Sequence, residues 1–447
     1  MIFELEKPKQ PKEKMKELAM IFSHQKEEVL DFVKKIDSWD SGYMYFDKMK
    51  YKEPAPQGMS KESLWEIVKF SRHSRSLKTP IKDEDGNHFK WVKLDYFEEF
   101  FHELDMNTGG EVSLPKDGYR ADSQRLIVRG IMEEAIASSQ LEGAATSRQE
   151  AKKMLREQRR PTNQSEQMIL NNYLIMKAIE GDYKDRRMDM DMIMDMHSLI
   201  TKNTFDSQGE KPRLRNDNET VYINDDVNGI IYHKAPGVDF VKRELKELMC
   251  FANDEEENDS FIHPVIKAIM LHFWIGYLHP FTDGNGRLAR SLFYWYLLKK
   301  GYWGFSYLPV SKNIKRSVKR YIMSYVYSEQ DDNDLTYFLD YNIRKIRLAI
   351  DEFDTYLKQQ AEKNSDMKKG VTERYGFNER QIQLLQYLHG DQGGRTNLKT
   401  HMHINGVSKM TAINDLKSLL EEGFLASVKQ GRNVYYSSTE KVNKLFK

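Results

Sequence analysis

Leu278-His279-Pro280-Phe281-Thr282-Asp283-Gly284-Asn285-Gly286-Arg287-Leu288-Ala289-Arg290 is the stretch on which the reading of this chain turns. An apolar run, Ala268 to Leu278, precedes it and reads as a buried helix. A second helical pattern follows, through Leu292, Phe293, Tyr296 and Leu298, and stops at Gly301, a residue suited to the position after a helix. The loop between them therefore opens a helix inside an apolar pair.

Its chemistry follows from the residue types. Gly284, Asn285 and Gly286 let backbone N–H groups converge with little Cβ obstruction, which makes an anion site at a helix N-terminus. Arg287 and Arg290 share a face of the first turns, where cations oppose the helix dipole, so an anionic ligand is the expected compensation. Asp283 is a hard oxygen ligand beside that site, suited to Mg²⁺. His279 offers a base that is neutral near pH 7 and can accept a hydroxyl proton. Taken singly, the Asp-Gly-Asn-Gly is an ordinary turn, the histidine an ordinary core residue and the arginines a solvated face. Their convergence on one helix opening favours a functional site.

Working outward, Glu219 to His233 reads as a β-hairpin. Val221, Tyr222 and Ile223, then Ile230, Ile231 and Tyr232, flank a polar turn with Asn228-Gly229. A hairpin set in a helical region is either a structural flap or an edge that accepts a peptide strand. The region 116–350 reads as one helical domain, with period-3.6 patterns at Met188 to Ile200 and Leu335 to Ile350. Residues 1–115 read as a mainly helical N-terminal region. It has a helix from Met15 to Ile36, a turn at Asp83 to Asn87 and an aromatic cluster from Phe89 to Phe101. Residues 351–376 read as helix and linker.

Residues 377–447 form a small unit. Asn378 and Gln381 are spaced as a capping box, Thr396 to Met402 and Ser408 to Glu422 read as helices, and Phe424 to Val428 and Val434 to Ser437 flank a basic tip, Lys429-Gln430-Gly431-Arg432. Three helices and a hairpin resemble a winged helix-turn-helix. Ten basic against six acidic residues from Asn378 onward give a net +4 there. DNA, with contacts from Lys409, Thr411, Asn414 and Lys417 near Asp415, is one expected partner. Docking or homodimer formation is the other.

Composition narrows the rest. A hydrophobic fraction of 39% over 447 residues supports several cores. With 69 Lys+Arg against 68 Asp+Glu, global charge names no partner. The single cysteine, Cys250, excludes an internal disulfide framework and fits a reducing cytoplasm. The opening MIFELEKPKQPKEK lacks the apolar core of a leader, and Ala268 to Leu278 is too short to span a bilayer, so no membrane partner is expected.

The loop resembles the Fic family motif His-x-Phe-x-Asp/Glu-Gly-Asn-Gly-Arg-x-x-Arg at every specified position. The resemblance covers roughly Ala121 to Ile346 and implies a mainly α fold, a Fic-type helical core with a β-hairpin flap. It implies transfer of AMP from ATP, with Mg²⁺, to a Ser, Thr or Tyr hydroxyl of a protein, the chain itself included. His279 is then the catalytic base and Asp283 the magnesium ligand. Gly284, Asn285 and Gly286 cradle phosphate, Arg287 and Arg290 hold the remaining phosphates, and Val221, Tyr222 and Ile223 align the target. Gly209 to Arg215 is similar to the family's entry to the flap, with Arg213 and Arg215 both open as the matching arginine. Tyr321 and Tyr325 fall where the family places residues near adenine. Ala135 to Gly143 (AIASSQLEG) resembles the family's inhibitory pattern, with Ser138 and Glu142 one helical turn apart. Glu142 is then expected to pair with Arg290 and obstruct the γ-phosphate. Three alternatives stay open: another nucleotide or phosphate donor, removal of AMP, and a DNA-binding regulator whose loop senses a ligand. The resemblance names no target.

Overall fold

A computed structural model describes residues 1–9, 26–38, 42–52, 60–108, 120–204, 213–225, 228–255, 261–367, 373–390, 394–431 and 433–445. Parts of five expected features lie outside these residues: the start of the helix from Met15, Gly209 to Pro212, residues 226–227 of the Glu219 to His233 hairpin, residues 368–372 of the linker, and Arg432 at the C-terminal hairpin tip. The chain divides into two compact units. One comprises Met1–Gly110, Leu174–Phe305 and Val310–Arg347; the other comprises Glu111–Tyr173, Ser306–Pro309 and Leu348–Lys447.

The elements run α1 (Lys26–Ile36), α2 (Phe46–Met49), α3 (Lys61–Ser74), β1 (Ser76–Lys82), β2 (His88–Val92), α4 (Asp95–Thr108), α5 (Arg120–Leu141), α6 (Arg148–Glu157), α7 (Gln164–Glu180) and α8 (Met190–Thr201). Then come β3 (Tyr222–Asp225), β4 (Ile230–Lys234), α9 (Val238–Ala252), α10 (Pro264–Leu278), α11 (Asn285–Lys299), α12 (Val310–Lys315), α13 (Val318–Gln330) and α14 (Thr336–Met367). The last are α15 (Glu379–Gly390), β5 (Arg395–Asn397), α16 (Leu398–Asn405), α17 (Lys409–Glu421), β6 (Leu425–Gln430), β7 (Asn433–Ser438) and α18 (Glu440–Leu445). The protein is mainly helical, as expected. Among the described residues no helix is long and apolar enough to cross a membrane.

The first unit is built around α10 and α11. Every residue from Val265 to Leu278 is buried, so α10 is apolar all round rather than amphipathic. Pro264 opens it with a preset φ and no missed hydrogen bond. The N-terminal region supports this pair. The expected turn at Asp83 to Asn87 joins antiparallel β1 and β2, and Phe89 packs edge-on against Phe273 and Tyr277 of α10 at 5.1 and 5.4 Å. Buried Arg72 pins α3 in place. It holds Asp37 at 2.9 Å and the Met44 carbonyl at 2.9 Å, and its guanidinium lies 3.6 Å from the Tyr43 ring centre. A buried guanidinium is tolerated because a carboxylate and a carbonyl replace its water.

The second unit contains α5, α6 and the C-terminal module. The module's core gathers Phe377, Ile382, Leu385, Leu388, Leu416, Leu419 and Phe424. The capping box is formed: Asn378 Oδ1 accepts from Gln381 N at 3.1 Å, and Asn378 N donates to Gln381 Oε1 at 2.8 Å. The second helix starts later than read. Thr396 pairs with Tyr436 in a strand, and Asn397 caps α16 by accepting from Thr400 N at 2.9 Å. Thr and Asn serve a strand end and a cap better than a helix start. The sheet order is β5-β7-β6. On α17, Lys409, Asn414 and Lys417 are exposed alongside Met410 and Ile413, whereas Asp415 turns into the core and accepts from Arg380, His401 and Asn378. The charge-rich stretch from Gln359 stays helical to Met367, since Gln, Ala, Glu and Lys are good helix formers despite their polarity.

Candidate active site

His279 ends α10 in a left-handed conformation, φ 46° and ψ 58°. A histidine there is uncommon and must be held. Its N–H bonds the Ile275 carbonyl at 3.0 Å, and its own carbonyl accepts from Arg215 Nε at 2.8 Å. Its Nδ1 lies 2.9 Å from the Gly276 carbonyl. A carbonyl only accepts, so Nδ1 carries a hydrogen, and in the neutral ring the lone pair is then on Nε2. That is the tautomer a base needs. Gly276 itself is required by packing, since a Cβ there would fall 2.2 Å from the Tyr325 hydroxyl.

The loop is closed from within. Asn285 accepts from Phe281 N at 2.9 Å and donates to the Phe281 carbonyl at 2.8 Å. Phe281 is fully buried and stacks on His197 with ring centres 3.6 Å apart. His197 Nε2 reaches the Asp283 carbonyl at 2.8 Å. Burial drives the His197 pKa down to about 4, so the ring is neutral and donates to that carbonyl. Gly284 has φ +83°, and a Cβ there would lie 2.9 Å from Thr201 Cγ2, so both conformation and space demand glycine.

Gly284 caps α11 without any side-chain cap bond. The first N–H groups of a helix have no acceptor within it, so those of Asn285, Gly286 and Arg287 are of the kind that suits an anion. Arg287 is wholly buried. It gives one bond to Asp283 Oδ2 at 2.8 Å and one to the Ile200 carbonyl at 3.1 Å, while its Nε has no hydrogen-bond partner among the described residues. Its guanidinium is thus directed at the loop's own carboxylate. Asp283 keeps a side chain 49% exposed. Arg290 is buried beside His272, whose pKa falls to about 3 through burial and then the Arg290 charge. His272 Nε2 meets the Tyr321 hydroxyl at 2.8 Å, and Tyr325 is buried against Phe273 and Phe338.

The hairpin forms as read. β3 and β4 pair antiparallel with Tyr222 opposite Lys234 and Ile223 opposite His233, and an irregularity falls between Ile223 and Asn224. Val221 lies just before β3, where its carbonyl accepts from Ala235 N at 3.0 Å. The N-terminal residues pair with the other edge of β4: Phe3 N donates to the Ile231 carbonyl at 2.8 Å, and Ile231 N to the Met1 carbonyl at 2.9 Å. β3 is therefore the outer strand, and Tyr222 is 44% exposed on it.

Of the two arginines left open, Arg213 forms an exposed pair with Glu219 at 2.6 Å, whereas buried Arg215 binds the His279 carbonyl at 2.8 Å and the Pro236 carbonyl. Arg215 is the one that touches the loop. Ser138 and Glu142 lie at the end of α5 in the second unit. Ser138 is buried, and Glu142 follows the last helical residue. Ala144 N bonds the Ser139 carbonyl at 3.0 Å and Gly143 N the Gln140 carbonyl at 3.3 Å, which makes the paired C-terminal closure that a left-handed glycine allows. Sequence reasoning passed over His197 and Thr201. A histidine within an apolar helix has no local signal beyond a core residue.

Residues 187–297 match the Fic/DOC family. Protein adenylyltransferase fic-1 of Caenorhabditis elegans is 31% identical over 113 residues, 25% of this chain and 20% of that protein. Protein adenylyltransferase Fic of Drosophila virilis is 44% identical over 46 residues, 10% of each chain. The matches thus span a fifth or less of those relatives' length. Among solved structures, a Fic family protein from Desulfovibrio desulfuricans is 19% identical, with 78% of this chain and 97% of that one covered and a TM-score of 0.48. Residues 134–508 of Fic-1 from C. elegans give 15% identity, 77% and 87% coverage and a TM-score of 0.44.

Proposed function

We propose that this protein is an adenylyltransferase that moves AMP from ATP to a hydroxyl of a protein. The observation that carries the reading is the Nδ1 contact of His279 with the Gly276 carbonyl, which directs Nε2 to the role of base, beside the α11 N-terminus. A target hydroxyl gives its proton to Nε2 as its oxygen attacks the α-phosphorus; the bond to the β-phosphate oxygen breaks and pyrophosphate leaves. The α11 N–H groups stabilise negative charge on the transferred phosphoryl group. Arg290 answers the distal phosphates. Arg287 acts one step back and orients Asp283, which is supported by their 2.8 Å pair.

Magnesium fits these residues. Asp283 offers a half-exposed carboxylate with one oxygen on Arg287, and among the described residues there is no cluster of three or more ligating side chains. Such a lone carboxylate suits an ion held chiefly by phosphate and water, which would neutralise phosphate charge. The exposed outer strand β3 supports target docking by strand addition. Glu142 is read as a brake, because a carboxylate can compete with the γ-phosphate for an arginine.

The test is incubation with α-labelled ATP and magnesium, reading label on the chain itself and on added proteins. Label is expected, and His279→Ala should reduce it by roughly 10²-fold or more with ATP binding retained. A His279→Ala protein that transfers normally sinks the reading. Label from another nucleotide donor, or AMP released from a pre-modified protein, would redirect it.

A further inference from the structure

The last turn of α10 leaves its carbonyls without helical partners, at the negative end of the helix dipole. The His279 ring takes the Gly276 carbonyl, and two side chains from the hairpin region take others. Arg215, just before β3, bonds the His279 carbonyl at 2.8 Å and lies 3.4 Å from the Leu278 carbonyl. His233, within β4, reaches the Tyr277 carbonyl with Nε2 at 2.9 Å. The other ring nitrogen, Nδ1, lies 2.7 Å from Glu329 Oε2 of α13. Both ring nitrogens thus face acceptors, which is the pattern of a doubly protonated imidazole paired with a carboxylate. The ring is buried, and the second Glu329 oxygen is buried with no hydrogen-bond partner among the described residues, so among these His233 is the group that answers this carboxylate. Burial pushes the imidazole pKa down, but the Glu329 carboxylate and its hydrogen bond outweigh that and the Arg215 charge, and the pKa is raised.

The connection is specific in place. His233 stands opposite Ile223, and the irregularity in the β3–β4 ladder begins at that pair. A bulge at a held residue pins the register of a hairpin. Two residues beyond Tyr277 is His279. The N-terminal segment holds the far side: Gln330, next to Glu329, bonds Phe3 O at 2.8 Å and Leu5 N at 2.9 Å.

We propose that His233, clamped between Glu329 and the Tyr277 carbonyl, is a positioning residue that fixes the register of the hairpin strand β3 against the base His279. The proposal rests on the adenylyl-transfer reading for its catalytic consequence, while the clamp itself is a property of the fold. A strand added along β3 inherits that register, so the hydroxyl it carries arrives at a set distance from Nε2. Small misplacement of a reacting group costs up to about 10²-fold in rate.

The experiment uses the full chain, with His233→Ala and His233→Gln, the latter keeping one donor if the former folds poorly. Amide hydrogen exchange is read over 222–234, over 277–281 and, as a control, over 76–92. Exchange is expected to rise about tenfold in the hairpin and the catalytic loop together, with the control unchanged. Transfer of label from α-labelled ATP is expected to fall about tenfold at saturating ATP with the KM for ATP within about twofold, and labelled positions on the chain should spread. Glu329→Gln, which keeps an acceptor and loses the charge, should lie between. Faster exchange in the hairpin alone, with 277–281 as protected as in the unsubstituted protein, overturns the clamp. So does a fall in transfer that is matched by a rise in KM for ATP. If the unsubstituted protein transfers no label, the adenylyl-transfer reading falls, and the exchange pattern alone decides the clamp.

Discussion

At the scale of single residues, Asn285 shows where a sequence stops speaking. An asparagine between two glycines can offer its amide to a phosphate or to its own loop, and spacing does not tell which. Here the amide is turned inward onto both backbone groups of Phe281. Asn285→Ala leaves a buried N–H and a buried carbonyl unpaired, which costs about 3 kcal/mol. The expected result is a lower urea midpoint, with transfer reduced through loss of loop order. Unchanged stability together with weaker nucleotide binding would show that the side chain serves the ligand instead. His279 and Asp283 drew the reading of a base and a hard oxygen ligand only because they converge with two glycines and two arginines on one helix opening. Arg287 was legible as a charge at a helix opening, but its buried bond to Asp283 was not, since the position of Ile200 on α8 decides it.

At the scale of elements, α10 and α11 were legible from their apolar runs, and the hairpin from two β-rich runs about a polar turn. What pairs with the hairpin's edges was not, because the partner of β4 comes from Met1–Phe3, more than two hundred residues away. Short strands such as β5 were misread as helix for the same reason: pairing with β7 decides them. The end of α5 gives an element-level prediction. Glu142 sits at the closing position before a left-handed Gly143, with φ +91°, and the backbone of the helix end is closed by bonds to the Ser139 and Gln140 carbonyls. Glu142→Gly keeps both closing bonds, so any change in its urea midpoint reports what the Glu142 side chain itself holds. If the carboxylate competes with ATP, its removal should raise label transfer about 5- to 100-fold, the range of a 1–3 kcal/mol coupling. Adding His279→Ala should abolish the gain. An equally stable Glu142→Gly protein with no gain would make Glu142 an ordinary helix-end residue.

At the scale of the molecule, the first unit can be followed by itself, because among the described residues every tryptophan, at 65, 91, 274, 295 and 303, lies in it. Tryptophan fluorescence therefore reports the unit that holds the catalytic loop. His272 lies in that unit, wholly buried, with its pKa lowered to about 3 by burial and then by Arg290. The unfolded chain protonates this histidine near pH 6.5. Between those two values the unfolded state binds a proton that the folded state excludes, so this group weakens the fold as pH falls from about 6.5 toward 3, by up to about 1.4 kcal/mol per pH unit. Asp331 and Asp340, whose pKa values burial raises, pull in the opposite direction, and total stability against pH does not isolate the histidine. A difference does. His272→Gln loses a ring that packs near Phe338 and bonds Tyr321, so it is less stable than the unsubstituted protein at pH 7. It also loses the proton linkage, while both aspartates remain in both proteins. The stability deficit of His272→Gln, measured by urea unfolding with tryptophan fluorescence, should shrink by about 1 kcal/mol or more between pH 7 and pH 5. A deficit that stays constant over that range would mean that the folded His272 takes up a proton as readily as the unfolded one, and that neither its burial nor Arg290 excludes it.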